Sequence, residues 1–253
     1  MARYTYGDSD LAGDRLALVA RLFRPTSEAF LLAASPRAPD IALDLGCGPG
    51  HTTTLVHETT GSRRTVGIDR SELFARRARD RASGRRFVAA DVASVSLPIA
   101  RADLLYARLL LAHLPDPPDV VARWSTILTI GGRVLVDDLE AIETDDDVFR
   151  RYLDDVALAV IRAQGGALFV GPALHGARDP AGLARVHDGV AAFTPAAAET
   201  ARVFAMNLAV LTERGEVSPR PDLAVGLDAI ASGVRLAEPV RWRVRQLAWE
   251  RTD

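Results

Sequence analysis

The sequence predicts an α/β fold, a doubly wound sheet of seven mostly parallel strands, and three observations carry that prediction. The apolar run Ile41, Ala42, Leu43 leads through Asp44 and Leu45 into Gly46, Gly48 and Gly50, a strand that ends in a glycine-rich turn. Two later apolar runs, 65–69 and 87–92, end on or beside an acid, Asp69 and Asp91. Helix-forming stretches separate these runs, and regular alternation of strand and helix fixes a parallel sheet.

Taken in order, Leu11, Leu16, Val19, Leu22 and Phe23 recur near helical period and predict a first helix, with a second around 26–34. Pro36 and Pro39 separate these from the first strand. Helices are expected over 51–60, 71–82 and 118–128, each after a polar or proline start signal. A fourth strand covers 103–108, and the Gly131-Gly132 turn feeds a fifth over 131–138. In the segment 145–164, Val148, Tyr152, Val156, Ala159 and Val160 fall on one helical stripe, which Gly165-Gly166 ends. A sixth strand is expected over 185–193, then a helix to about residue 214 with Pro195 at its first position, and another over 223–232. The last strand, 240–249, alternates Val240, Trp242 and Val244 with Arg241, Arg243 and Arg245, the period of a strand with one face buried.

The chain has 253 residues, 48% hydrophobic, enough for one substantial core. A formal net charge of −2 gives no electrostatic case for binding a polyanion. All 31 basic residues are Arg, a bias read as genomic base composition, and the lack of lysine excludes a lysine base or Schiff base. The single cysteine, Cys47, cannot form an intramolecular disulfide; with no signal-like segment and no long apolar run, a cytoplasmic protein outside the membrane is expected. Cys47 is either a reactive thiol or a small residue that the glycine loop tolerates. The sequence leaves the oligomeric state open, a homodimer included.

Chemistry starts at the glycine loop. Gly46, Gly48 and Gly50 let backbone approach a ligand at the carboxyl end of a strand, where open α/β sheets bind ligands. A pyrophosphate there would meet the carboxylate of Asp44, and His51 stands where a dinucleotide fingerprint needs its third glycine. A cofactor carrying an ammonium and a sulfonium would instead be attracted by Asp44. Asp69 is placed to accept hydrogen bonds from both hydroxyls of a ribose. Asp91 is placed to accept from an adenine amino group, while Val92 offers its backbone N–H.

With these residues the chain resembles the class I S-adenosylmethionine-dependent methyltransferases, motif by motif over about residues 3–145 and more loosely beyond. Within them it is similar to bacterial small-molecule enzymes of quinone biosynthesis and of secondary-metabolite tailoring. The resemblance rests on the Asp44 to Gly50 loop, Asp69, Asp91, the Ala107-Arg108 segment and the Gly131-Gly132 turn. It implies a Rossmann-like core over 37–140 and 185–253, an N-terminal helical lid over 1–36, and a cap over the acceptor pocket from the insertion 141–184. It further implies S-adenosylmethionine as cofactor, with S-adenosylhomocysteine as product. The cofactor set is Tyr6, Asp44, Gly46, Gly48, Gly50, His51, Asp69, Arg70, Asp91, Val92, Ala107 and Arg108, with Tyr6 as a lid contact.

The implied reaction is in-line displacement of the sulfonium methyl onto a C, N or O atom of an acceptor, for which positioning is the main requirement. A general base is optional, and the candidates are His113 and Glu140. Either residue also reads as structural, His113 ordering its loop and Glu140 binding backbone. Tyr6, Tyr106, Phe149, Tyr152, Phe169 and His175 are the candidate acceptor contacts, suiting a flat aromatic or indole-like natural product, although such rings also serve as core. No metal is expected: the acids 143–147 suit the first turn of a helix, and Asp137-Asp138 has no accompanying Asn. After the fourth strand stands Tyr106-Ala107-Arg108-Leu109 rather than the Pro-Pro-aromatic run of nucleic-acid base methylases, which leaves a small-molecule acceptor and no nucleic acid. The alternatives are a catalytically silent cofactor-binding partner protein and an NAD-dependent oxidoreductase; the latter fits poorly with Asp44 and His51.

Overall fold

The computed structural model describes residues 7–36, 38–81, 85–94, 97–163 and 165–253. Tyr6 and Ala82 lie outside them. The seven strands are β1 (Ile41–Leu45), β2 (Arg64–Asp69), β3 (Arg86–Ala89), β4 (Ala102–Arg108), β5 (Leu128–Glu143), β6 (Leu183–Phe193) and β7 (Arg241–Arg251). Their order is β3-β2-β1-β4-β5-β7-β6, and β7 alone runs antiparallel to its neighbours. The apolar runs of β1 and β4 are buried, as expected of inner parallel strands with helices on both faces.

Nine α-helices are described: α1 (Asp10–Ala34), α2 (His51–Thr60), α3 (Glu72–Arg81), α4 (Pro117–Ser125), α5 (Asp147–Tyr152), α6 (Leu158–Ala163), α7 (Gly171–Gly176), α8 (Ala197–Glu213) and α9 (Pro221–Ala231). Where the sequence suggests two N-terminal helices, there is one of 25 residues with Pro25 inside it. Its buried stripe explains why: Ala12, Arg15, Val19, Phe23, Ser27, Phe30 and Ala34, with Leu31 beside Phe30, follow one another at three- or four-residue spacing straight across the proline. Burial along the whole stripe outweighs the single backbone hydrogen bond that Pro25 removes.

The segment expected as one helix over 145–164 is divided. A π-helical turn, Leu153–Ala157, joins α5 to α6, and such wide turns are frequent at functional sites. Helix α7 has no counterpart in the sequence reading. Strand β3 stops at Ala89, so Asp91 stands in the loop after it, and β5 runs on to Glu143 because β7 pairs with it from Arg133 to Glu143. Pro195 precedes α8 instead of starting it, with Ala196 as the N-cap residue.

The cores show how the helices divide their work. Phe30, Leu31 and Ala34 pack on Ala42, Leu104, Tyr106, Leu135 and Ala248 of the sheet, so the second half of α1 belongs to the core rather than to a lid. The first half, through Val19 and Phe23, joins a second core with Phe149, Tyr152, Phe204 and Trp242. That core unites the insertion after β5 with α8 and α9, which follow β6. The expected insertion 141–184 therefore shares a core with α8 and α9, which the expected division assigns to the Rossmann-like part.

A buried carboxylate ties α1 to the sheet. Asp137 on β5 is fully buried; its Oδ2 accepts from Ser27 Oγ at 2.6 Å and Tyr106 Oη at 2.9 Å, and its Oδ1 from Gln246 Nε2 at 3.2 Å. Gln246 also donates to the Thr26 carbonyl at 3.1 Å, and Arg108 Nη1 donates to Ser27 Oγ at 3.3 Å. One residue of β5 therefore fixes α1, β4 and β7 against each other. Asp137→Ala should leave three buried donors without an acceptor and lower the unfolding free energy by at least about 3 kcal/mol, whereas Ser27→Ala should cost about 1–2 kcal/mol. Urea denaturation checks this; equal and small losses in both variants would show that the cluster does not carry the attachment.

Candidate active site

The carboxyl ends of β1, β2, β4 and β5 open into a cavity of about 180 Å³. On its floor the glycine loop turns with Gly46 at φ +70° and Gly48 at φ +51°, conformations that favour glycine. A Cβ on Gly46 would stand 2.7 Å from Leu110 Cδ1, so the loop after β4 packs directly on this backbone. Gly46, Gly48 and His51 line the cavity, whereas Gly50 lies behind, where a Cβ would press on Ala78 and Phe87.

Asp44 does not reach the cavity wall. Its buried carboxylate accepts from the Thr52 and Thr53 hydroxyls, both at 2.6 Å, and so fixes the start of α2 behind the loop. Burial raises its pKa to about 6 against the pull of those two bonds and of Arg108. Asp69 does line the cavity: its Oδ2 accepts from Gly48 N and its Oδ1 from Ser71 N, both at 2.8 Å, and burial raises its pKa. Asp91, Val92 and Arg70 are also on the wall, with Trp124 Nε1 holding the Val92 carbonyl at 2.8 Å. Cys47 is a buried wall residue whose thiol pKa is pushed up by burial, so packing, and not thiolate chemistry, is its role.

The loop after β4 carries Arg108 and His113 to the wall but leaves Ala107 inside the sheet. Arg108 lies over the Phe23 ring at 5.9 Å, on the side of α1. Leu109 holds φ +51°, a strained setting for a residue other than glycine. It is kept there by its N–H on the Asp137 carbonyl at 3.0 Å, while Asp138 Oδ2 accepts from Leu110 N at 3.1 Å and Leu111 N at 2.9 Å. His113 lines the cavity, but burial, followed by Arg15 and Arg70, lowers its pKa to about 4, so near neutral pH it is an uncharged imidazole and a weak base.

Several expected site residues are elsewhere. Glu140 forms a two-pronged ion pair with Arg245 at 2.7 and 3.0 Å, covered by α7, and is not on the wall. His175 belongs to the same surface network, its Nδ1 2.8 Å from Asp188 Oδ2. Both are explained by β7, whose long pairing with β5 and β6 brings Arg245 between them. Tyr106 is committed to Asp137, Phe149 packs edge-on against Phe204 within the core, and Phe169 is core-packed as well. Of the expected acceptor contacts among the described residues, Tyr152 alone is on the wall, stacked on Phe204 at 4.0 Å. Phe204, a further ring that the sequence offers for the pocket, is on the wall as well, whereas the sequence reading missed Arg15, Phe23, Asp138, Asn207 and Trp242 as wall residues.

Residues 43–136 match the model of a methyltransferase domain family. Over those residues the chain is similar to that family. It is 38% identical over 114 residues to the trans-aconitate 2-methyltransferase of Methylobacterium radiotolerans, covering 45% of this chain and 43% of that one. It is 35% identical over 148 residues to the protein of that name in Methylobacterium nodulans, covering 57% and 55%. The chain thus spans about half the length of the curated relatives it matches. Among solved structures, a provisionally assigned methyltransferase from Bacillus halodurans superposes with a TM-score of 0.58 at 16% identity, covering 89% of this chain and 98% of that one. The cyclase SpnF does so at 0.53 and 17%, covering 90% and 81%. At these identities the structures share the fold, and a cyclase among them shows that the methyltransferase fold alone does not fix the chemistry. The cofactor of the class is S-adenosylmethionine, and the glycine cradle with the Asp69 and Asp91 carboxylates is a donor set that fits a cationic nucleoside. Among the described residues no group of three or more acids, His or Cys could hold a metal, and no helix is long and apolar enough to cross a membrane.

In the ligand-free protein Asp44 holds its proton to about pH 6 and Asp138, through burial, to about pH 7. An unfolded aspartate titrates near 3.9, so these two carboxyls contribute stability that is lost as pH rises from about 4 to about 7, while His51 and His113, whose pKa values burial lowers to about 4, contribute in the opposite direction. Asp44→Asn and Asp138→Asn should therefore each make stability rise more steeply, or fall less, across that range than in the parent. Urea unfolding of parent and variants checks the difference, and an unchanged slope in both would show that neither carboxyl is perturbed.

Proposed function

We propose that the protein transfers a methyl group from S-adenosylmethionine to a small-molecule acceptor with a flat, apolar body. The observation that carries this reading is continuity: one cavity runs from the Gly46–Gly48 cradle and Asp69 to the rings of Phe23, Tyr152, Phe204 and Trp242. When bound, the cofactor supplies a methyl group activated by sulfonium. Asp69 would accept the ribose hydroxyls, Asp91 and Val92 would meet the adenine edge, and the field of Asp44 would favour the cationic end.

The aromatic rings would exclude water and align the acceptor, and alignment contributes several kcal/mol to a displacement of this kind. Proton removal has little support on the wall. His113 is a weak base, and Asp138, though its pKa lies near neutrality, already has both oxygens engaged by backbone N–H groups. Positioning is therefore the main device, and an acceptor that needs no prior deprotonation suits it.

The relatives are named for trans-aconitate, a tricarboxylate. The family match ends at residue 136, before Tyr152, Phe204, Asn207 and Trp242, so it speaks for the cofactor half of the cavity and not for the acceptor half. The aromatic wall favours a ring-bearing acceptor, indoles and phenyl compounds among them.

Isothermal titration with S-adenosylmethionine and S-adenosylhomocysteine, with NAD and NADP as controls, tests the reading. Micromolar binding of the first pair alone is expected; binding of NAD, or of none, would overturn it. Asp69→Ala should weaken S-adenosylhomocysteine binding about ten- to a hundredfold through the lost charge-assisted hydrogen bonds, and an unchanged affinity would remove Asp69 from the cofactor site.

A further inference from the structure

Resting on that reading of the cavity, we infer that the acceptor carries one carboxylate on its apolar body and that Arg15 of α1 receives it, oriented by Asn207 of α8 and through it by Tyr152 of α5. The wall of the acceptor half is otherwise built for flat apolar groups. Tyr152 stacks on Phe204 at 4.0 Å and 16°, Phe23 meets Trp242 edge-on at 5.6 Å, and Phe204 is 5.8 Å from Trp242. Into this box the sequence sets a guanidinium, a group that stays charged at any physiological pH.

Arg15 is only 7% exposed and lies on the cavity wall. Its Nη1 donates to Asn207 Oδ1 at 3.4 Å, and Asn207 Nδ2 donates to Tyr152 Oη at 2.7 Å. The asparagine, itself 7% exposed, thus spends its carbonyl on the cation and its amide on the phenol, which locks the three side chains from three helices into one polar node in the aromatic wall. The three acids on the described wall are Asp69, Asp91 and Asp138, at or beyond the carboxyl ends of β2 and β3 and on β5; the wall residues of α1, α5 and α8 include no acid. The acceptor half therefore presents positive charge amid rings. The positive field is registered at His113, whose pKa is lowered first by burial and then by Arg15 and Arg70.

A guanidinium matches a carboxylate in two parallel hydrogen bonds, and such a pair gains strength where water is excluded. Arg108, the other guanidinium beside these rings, lies over Phe23 and donates to Ser27, so a second or third carboxylate on the same ligand would face chiefly Phe204 and Trp242 and lose hydration that the rings do not replace. Charge and shape together select an aromatic or apolar monocarboxylate over both a neutral analogue and a polyacid.

The test uses the protein saturated with S-adenosylhomocysteine and titrated with phenylacetate, cinnamate and indole-3-acetate, with their amides and with citrate. At least one acid should bind, with its amide and citrate at least about tenfold weaker. Arg15→Gln should weaken that acid about ten- to a hundredfold, and Arg15→Lys, which keeps the charge but not the fork, should recover part of the loss. Cooperative thermal unfolding of both variants shows that they fold. Acids binding no better than amides, no acid binding to the loaded protein, citrate binding best, or Arg15→Gln binding like the parent would each overturn the inference. Failure of S-adenosylhomocysteine itself to bind would instead overturn the cofactor reading, so the two failures are read from separate titrations.

Discussion

Everything on the acceptor side of this molecule depends on the fully buried Asp137 carboxylate. It draws donors from α1, β4 and β7 onto one residue of β5, and in doing so brings the buried stripe of α1 to rest against the sheet. A carboxylate in such a place is tolerable because all its partners are fixed donors; remove them and the desolvation cost stands alone. Its main-chain carbonyl also holds Leu109 in its left-handed setting, and Asp138 next to it clamps the following two residues. Two adjacent acids thereby shape both the helix over the cavity and the loop beneath it.

The glycine-loop half of the cavity was legible in the sequence because it is written in backbone. Each strand runs straight on to its glycine turn or its acid, and those constraints are local, so Gly46, Gly48, Asp69 and Asp91 could be expected at the strand ends where the cavity wall has them. Asp44 was legible as a charge but not as a contact, since only the fold shows Thr52 and Thr53 taking both its hydrogen bonds. The overall α/β order was legible for the same local reason, with errors at element ends where pairing across the sheet decides the length, as for β5.

The acceptor half was not legible because it is assembled from residues far apart in the chain. Arg15 pairs with Asn207, and Tyr152 stacks on Phe204; no spacing rule connects them. Their polarity misled as well. Arg15 and Ser27 interrupt the apolar stripe of α1, and with Pro25 between them the stripe reads as two short helices instead of one. Glu140 and His175 have the residue types of a site but belong to an ion-pair network around Arg245, which only the antiparallel placement of β7 could reveal. The family match follows the same division, stopping where the local motifs stop.

The attachment of α1 at Ser27 gives the helix a pivot. Its residues beyond that point are sealed into the sheet, while those before it form an arm, and Arg15 sits twelve residues along it, about 18 Å away at 1.5 Å per residue. A tilt of about five degrees at the pivot would carry the guanidinium roughly 1.5 Å, half the length of a hydrogen bond. The aim of Arg15 into the cavity is thus under leverage: a conservative exchange at Ser27, Tyr106 or Gln246, none of them on the cavity wall, can re-aim a charge that none of them touches.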